Sequence, residues 1–195
     1  MSNTVNTELR QAQAPSMARW GAALALCIGS IVTLCVYGYQ YGRGNHSSYL
    51  IEPLRLVDPS LFKNDWFANH TLQYHVVFSH TAALLMRLGI VQPAFAAGYV
   101  LLIVLFHIAW RGIIRHLGGG DGGYLLSVAL YYLSAAGTAL GMFQFFQDSA
   151  LLSSNIANVA LLWGLWLWML GRLGWSGMAF GIAGIFAFRL RRKKS

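Results

Sequence analysis

The sequence predicts an all-α, polytopic membrane protein of about five spans, and three observations predict it. Of 195 residues, 56% are hydrophobic and only 10% are charged, against roughly 25% charge in soluble domains. Apolar runs long enough for a bilayer recur along the chain. Between the first run and the others lies one polar stretch, Gly42 to Thr71, reading GRGNHSSYLIEPLRLVDPSLFKNDWFANHT. It holds Glu52, Asp58 and Asp65, three of only six acidic residues. Groups for chemistry or recognition outside the bilayer are expected there.

Residues 1–17 are polar and unpatterned and read as a disordered cytoplasmic tail. Ala18 to Tyr39 carries no charge after Arg19 and matches the roughly 20 residues that cross a bilayer core. No small-x-small cleavage site follows, so it reads as a signal anchor. Tyr37, Tyr39 and Tyr41 close it as an interfacial aromatic belt. Residues 42–73 form the extracytoplasmic loop. Pro53 and Pro59 forbid one long helix across it. Ser47 to Val57 can form a short amphipathic helix with Leu50, Leu54 and Val57 on one face. Asp58-Pro59-Ser60 reads as a stop followed by a turn.

Tyr74 to Ile90 is short for a span and carries His75, His80 and Arg87, which suits an interfacial helix. Gln92-Pro93 ends it. Ala94 to Trp110, running on toward His116, is the next span. The turn Gly118 to Gly123 follows, then Tyr124 to Phe143 and Leu151 to Leu170. A weaker segment, Trp175 to Phe188, reaches the basic tail 189–195. Residues 18–188 thus form one transmembrane domain. Gly137-x-x-x-Gly141 and Gly177-x-x-x-Gly181 permit close helix approach.

The net charge of +8 comes from basic residues at the ends of apolar segments, which fits topology and anionic lipid and not nucleic acid. With the N-terminus cytoplasmic and Tyr74–Ile90 lying flat, Arg111, Arg115 and Arg172 are cytoplasmic, but the tail is outside. If Tyr74–Ile90 spans, those assignments reverse, so no orientation satisfies every charge. Cys27 and Cys35 read as small apolar residues of the first span. His70, His75 and His80 are spaced by five, which turns successive side chains about 140° apart on a helix. No metal site is expected from them, and no soluble cofactor is implied.

One anchor helix, a long extracytoplasmic loop with interfacial helices and then stacked spans resembles the N-terminal half of the GT-C superfamily. These are membrane glycosyltransferases that use polyprenyl-phosphate-linked sugars. The string YGYQYGRGNHSSYLIEPLRLVDPSLFKNDWF looks like the first loop of uncharacterised bacterial GT-C-like proteins, and the likeness covers residues 18 to 186. It implies a multi-pass protein of the bacterial inner membrane, with Tyr74–Ile90 lying flat. Members carry an acidic residue, often an Asp-Glu pair, soon after the first span. Here that place holds Asn45-His46, so the chain is expected not to transfer sugar by itself. Relatives continue into another span after SGMAFGIAGIF, so the ending FRLRRKKS reads as a truncation or a shifted frame.

Within this reading Asp65 is the carboxylate for catalysis, as base or positioning group, set against a role as turn or cap. His46 can act as the acid–base group or contact a phosphate. Arg43 can fork two hydrogen bonds onto a lipid-linked phosphate, with Asn45 and Asp58 as further binding residues. Asp58 before Pro59 also reads as a turn former, and Glu52 as a surface partner of Arg55. His107, inside a span, reads as a neutral imidazole bonded to a neighbouring helix. Asp148 reads as a helix-start acid. The alternative function is a non-enzymatic membrane component, a transporter subunit or assembly factor, using the loop for protein contact.

Overall fold

The computed structural model describes residues 2–66, 68, 75–135 and 149–187, with side chains from residue 20 onward and excluding that of residue 135. The described residues are all-helical. Seven helices follow in order: α1 (Ser2–Tyr37), α2 (Asn45–Val57), α3 (Val76–Arg87), α4 (Val91–His116), α5 (Asp121–Ala135), α6 (Ser153–Met169) and α7 (Leu173–Ala187). α1 extends from Ser2 to Tyr37.

Two helices are long and apolar enough to cross a bilayer core, Trp20–Tyr37 within α1 and Val91–His116. α6 has 17 residues, and α7 has 15. α3, with 12 residues, rises about 18 Å and falls short of the roughly 30 Å core. Pro93 begins a helix and does not end one: it sits in the first turn of α4, where backbone N–H groups have no intrahelical acceptor to lose. The second half of the predicted span Tyr124–Phe143, with Gly137-x-x-x-Gly141, His70, Asp148 and the basic tail, lies outside the described residues.

α4 is the hub, packing on α1, α5, α6 and α3. Its Tyr99, Leu102, Ile103 and Phe106 meet Val159 of α6, with Leu34 of α1 against them. α1 buries a narrow stripe, Ala25, Gly29 and Thr33, spaced four apart so that they fall on one face. Small residues there let α4 and α5 approach closely. The outward faces are apolar: Leu24 and Ile31 on α1, Leu101 on α4, Leu126 and Leu133 on α5, Leu165 on α6, Ile182 and Ile185 on α7 are all exposed. Cys27 and Cys35 are exposed there too, not packed inside. The interior holds polar groups instead, with Thr33, His107 and Asn155 fully buried.

α1, α5 and α7 run one way, and α4 and α6 the other. At one end Arg111 of α4 meets Asp121, the first residue of α5, through Nη2 at 2.6 Å and Nε at 2.8 Å. At the opposite end α2 and α3 pack together as a cap. Leu50 of α2 and Phe78 and Ala82 of α3 form a cluster with Phe95 at the start of α4. Tyr39 just after α1, Leu151 just before α6, Ile156 in the first turn of α6 and Phe186 near the end of α7 pack against it.

Candidate functional site: the capped end and the buried seam

The polar stretch leaves α1 and turns into α2 at Gly44, which caps the helix without a side-chain hydrogen bond. α2 starts at Asn45, two residues before the expected Ser47, and runs through Pro53 to Val57. Its buried face is therefore His46, Leu50 and Pro53, not Leu50, Leu54 and Val57. Leu54 is partly buried and Val57 is exposed. His46 lies four residues before Leu50, on the same face of α2.

His46 is fully buried. Its ring stacks on Phe95 at 5.5 Å, and Tyr41 meets it edge-on at 5.1 Å. Gly42 N–H donates to His46 Nδ1 at 3.1 Å, so the neutral ring carries its proton on Nε2. The residue pins the loop to α4. Burial raises the Tyr41 phenol above its ordinary value and keeps it neutral beside the imidazole.

Arg43 and Asn45 are exposed. Asp58 lies at the other end of α2, about 20 Å away by helical rise. Its Oδ1 accepts the Ser60 backbone N–H at 2.8 Å and the Ser60 hydroxyl at 2.6 Å. Those two bonds hold its carboxyl below the usual range, and the residue builds the expected turn. Asp65 Oδ1 accepts the Ala68 N–H at 2.7 Å, the geometry of a cap. The same Ala68 offers its carbonyl to Arg55 Nη1, and Arg55 also pairs with Glu52 at 3.3 Å. The structure thus groups Arg43, Asn45 and His46 at one end of α2. It places Asp58 and Asp65 near the other, each engaged with local backbone.

His75 precedes α3 with its backbone in the left-handed region. Its ring stacks on Tyr49 at 5.1 Å, and its Nδ1–H donates to the Phe186 carbonyl at 2.7 Å. Ser153 Oγ–H donates to the same carbonyl. Two donors, one from α6 and one at the start of α3, thus tie the Phe186 end of α7 to its neighbours. Burial lowers the His75 pKa from 6.5, outweighing the opposing effect of the Phe186 bond. The folded protein keeps the ring neutral at pH values where the unfolded chain is already protonated, so added protons favour opening. The stabilisation is complete above pH 6.5 and declines as pH falls below it. Protection factors in the last turn of α7, corrected for the intrinsic pH dependence of exchange, are expected to fall on acidification, and His75→Gln is expected to remove that fall. Unchanged acid sensitivity in the variant would place the titrating group elsewhere.

The most developed polar constellation is one that the loop motif does not reveal. His107 of α4 lies between α1 and α5. Tyr124 Oη is 2.7 Å from its Nδ1, and Thr33 Oγ1 is 2.6 Å from its Nε2. Thr33 Oγ1 also donates to the Gly29 carbonyl at 3.1 Å and lies 2.5 Å from Tyr132 Oη. One proton assignment satisfies all of these. Thr33 gives its only proton to Gly29 and accepts from His107 Nε2–H and from Tyr132 O–H, while Tyr124 O–H donates to Nδ1. The imidazole is neutral, bonded to two neighbouring helices, as its position in a span suggested. The i, i+4 stripe Ala25, Gly29, Thr33 was the signal available for its partners.

No protein family, no curated protein and no solved structure matches this chain.

Proposed function

We propose that this chain is a multi-pass protein of the bacterial inner membrane, related to GT-C glycosyltransferases, that holds a polyprenyl-phosphate head group and does not itself transfer sugar. α1, α4, α5, α6 and α7 are the five spans, with α2 and α3 lying on the extracytoplasmic face. Their apolar outward faces and polar interior support embedding in lipid. Arg111, Arg115 and Arg172 share the other end, and the positive-inside rule makes that end, and the N-terminus, cytoplasmic.

The observation that carries the binding reading is the start of α2. Exposed Arg43 and Asn45 flank a helix N-terminus with no side-chain cap and no acidic residue in its first turn. Such a terminus favours an anion, and a guanidinium adds paired donors for phosphate oxygens. The observation against transfer is the fate of the carboxylates. Asp58 and Asp65 bind local backbone at the far end of α2 from His46.

The test is photolabelling of the chain in nanodiscs with a diazirine polyprenyl phosphate. Labelling is expected in the peptide around residues 43–46, with no competition from the unphosphorylated polyprenol. Arg43→Ala is expected to weaken binding about tenfold, the loss of one charge-assisted hydrogen bond. Labelling indifferent to Arg43 would sink the binding reading. Sugar transfer by the purified chain that disappears in Asp65→Asn would show instead that it is an enzyme.

A further inference from the structure

At the far end of α2 the chain exposes an apolar corner. Val57, Leu61, Phe62 and Trp66 are all exposed, Trp66 at 68%. Arg87 Nη2–H donates to the Leu56 carbonyl at 2.7 Å. That bond ties the C-terminal ends of α2 and α3 together, so exposed Leu88 and Ile90 adjoin the same corner. The segment is held firmly. Asp58 closes a turn at one side through Ser60, and Asp65 caps Ala68 at the other. Between them Phe62 stands at φ 60°, a conformation that costs a non-glycine residue of order 1 kcal/mol or more.

We propose that residues 57–66 are a membrane anchor: Leu61, Phe62 and Trp66 insert into the head-group region of the extracytoplasmic leaflet and hold the α2–α3 cap against the bilayer. This rests on the embedded-bundle reading above. The chemistry of the corner selects a lipid surface. An aromatic ring pair with aliphatic neighbours suits the water–hydrocarbon boundary. Arg55, Lys63 and Arg87 at its edge are matched by Glu52, Asp58 and Asp65, so charge is balanced there and the rings with their aliphatic neighbours select the boundary.

The test uses the full chain with Cys27→Ser and Cys35→Ser, labelled with a bimane at Phe62→Cys, Trp66→Cys or Leu130→Cys. Each is placed in bilayers containing phosphatidylglycerol and lipid brominated either near the carbonyl or near the chain terminus. The labels at 62 and 66 are expected to lose fluorescence to the shallow bromine more than to the deep one, and to resist iodide in the water. The label at 130, on the outer face of α5, is expected to be quenched most by the deep bromine. Quenching at 130 with iodide-accessible, bromine-insensitive labels at 62 and 66 overturns the anchor alone. A label at 130 that escapes both bromines overturns the embedded bundle, and the anchor with it. On the unmodified chain, Trp66 is expected to be shielded from hydroxyl-radical oxidation in nanodiscs. Ready oxidation there overturns the anchor whether or not the labelled variants fold.

Discussion

Replacing Gly29 with alanine is expected to cost about 2–3 kcal/mol, the sum of overpacking and a damaged hydrogen-bond network. A methyl at Gly29 would strike the Tyr124 hydroxyl and come within 2.9 Å of His107 Nδ1. Those atoms form the bond that joins α5 to α4. They cannot withdraw without breaking it, because Thr33 holds the other face of the imidazole. The decisive comparison is with Tyr124→Phe, which removes the struck oxygen and its bond. In that background Gly29→Ala is expected to cost distinctly less, with a coupling of about 1 kcal/mol or more. Unfolding in mixed detergent, followed by circular dichroism, reads both. Strict additivity would mean that Gly29 does not work through the Tyr124–His107 contact. Hydrogen bonds between spans average only about 0.6 kcal/mol, so the steric part is expected to dominate.

A second substitution of comparable effect is Gly112→Ala, expected to cost about 2 kcal/mol. The Trp166 indole of α6 lies directly over Gly112 of α4, and an added methyl would stand 2.6 Å from its Nε1. The indole is a rigid plane and must leave as a unit. The neighbouring Trp163 is already committed, its Nε1–H donating to the Leu105 carbonyl at 2.9 Å. Leu105 and Gly112 are seven residues apart and share a face of α4, so the two tryptophans form one continuous seam along it. Trp166→Ala is expected to make the protein tolerant of Gly112→Ala. Equal loss in both backgrounds would show that the glycine matters for some other reason.

These two positions also mark how far the sequence could be read. Apolar length located the helices well: Leu151–Leu170 became Ser153–Met169, and Trp175–Phe188 became Leu173–Ala187. The shortness of Tyr74–Ile90 already argued against a crossing, and α3 packs on α2 at the bundle end. Asp58 and Asp65 carried both a local and a chemical reading. The structure shows the local one at each, because a carboxylate near free backbone N–H groups finds them at little entropic cost. The chemical reading of His46 rests on its residue type, and its place in the packing depends on the helix register. Once α2 begins at Asn45, the ring falls on the buried face beside Leu50.

By itself the sequence determined that the chain is helical, where its apolar segments lie, and which stretch is polar. Those properties follow from composition and from the length of uncharged runs, which are local quantities. Only the tertiary structure decided that His107 meets Thr33 and Tyr124, that Trp166 covers Gly112, and that His75 fastens the end of α7. Each of those contacts joins residues far apart in the chain, through the rotation of one helix against another. A single sequence fixes that rotation only when all the packed faces are considered together.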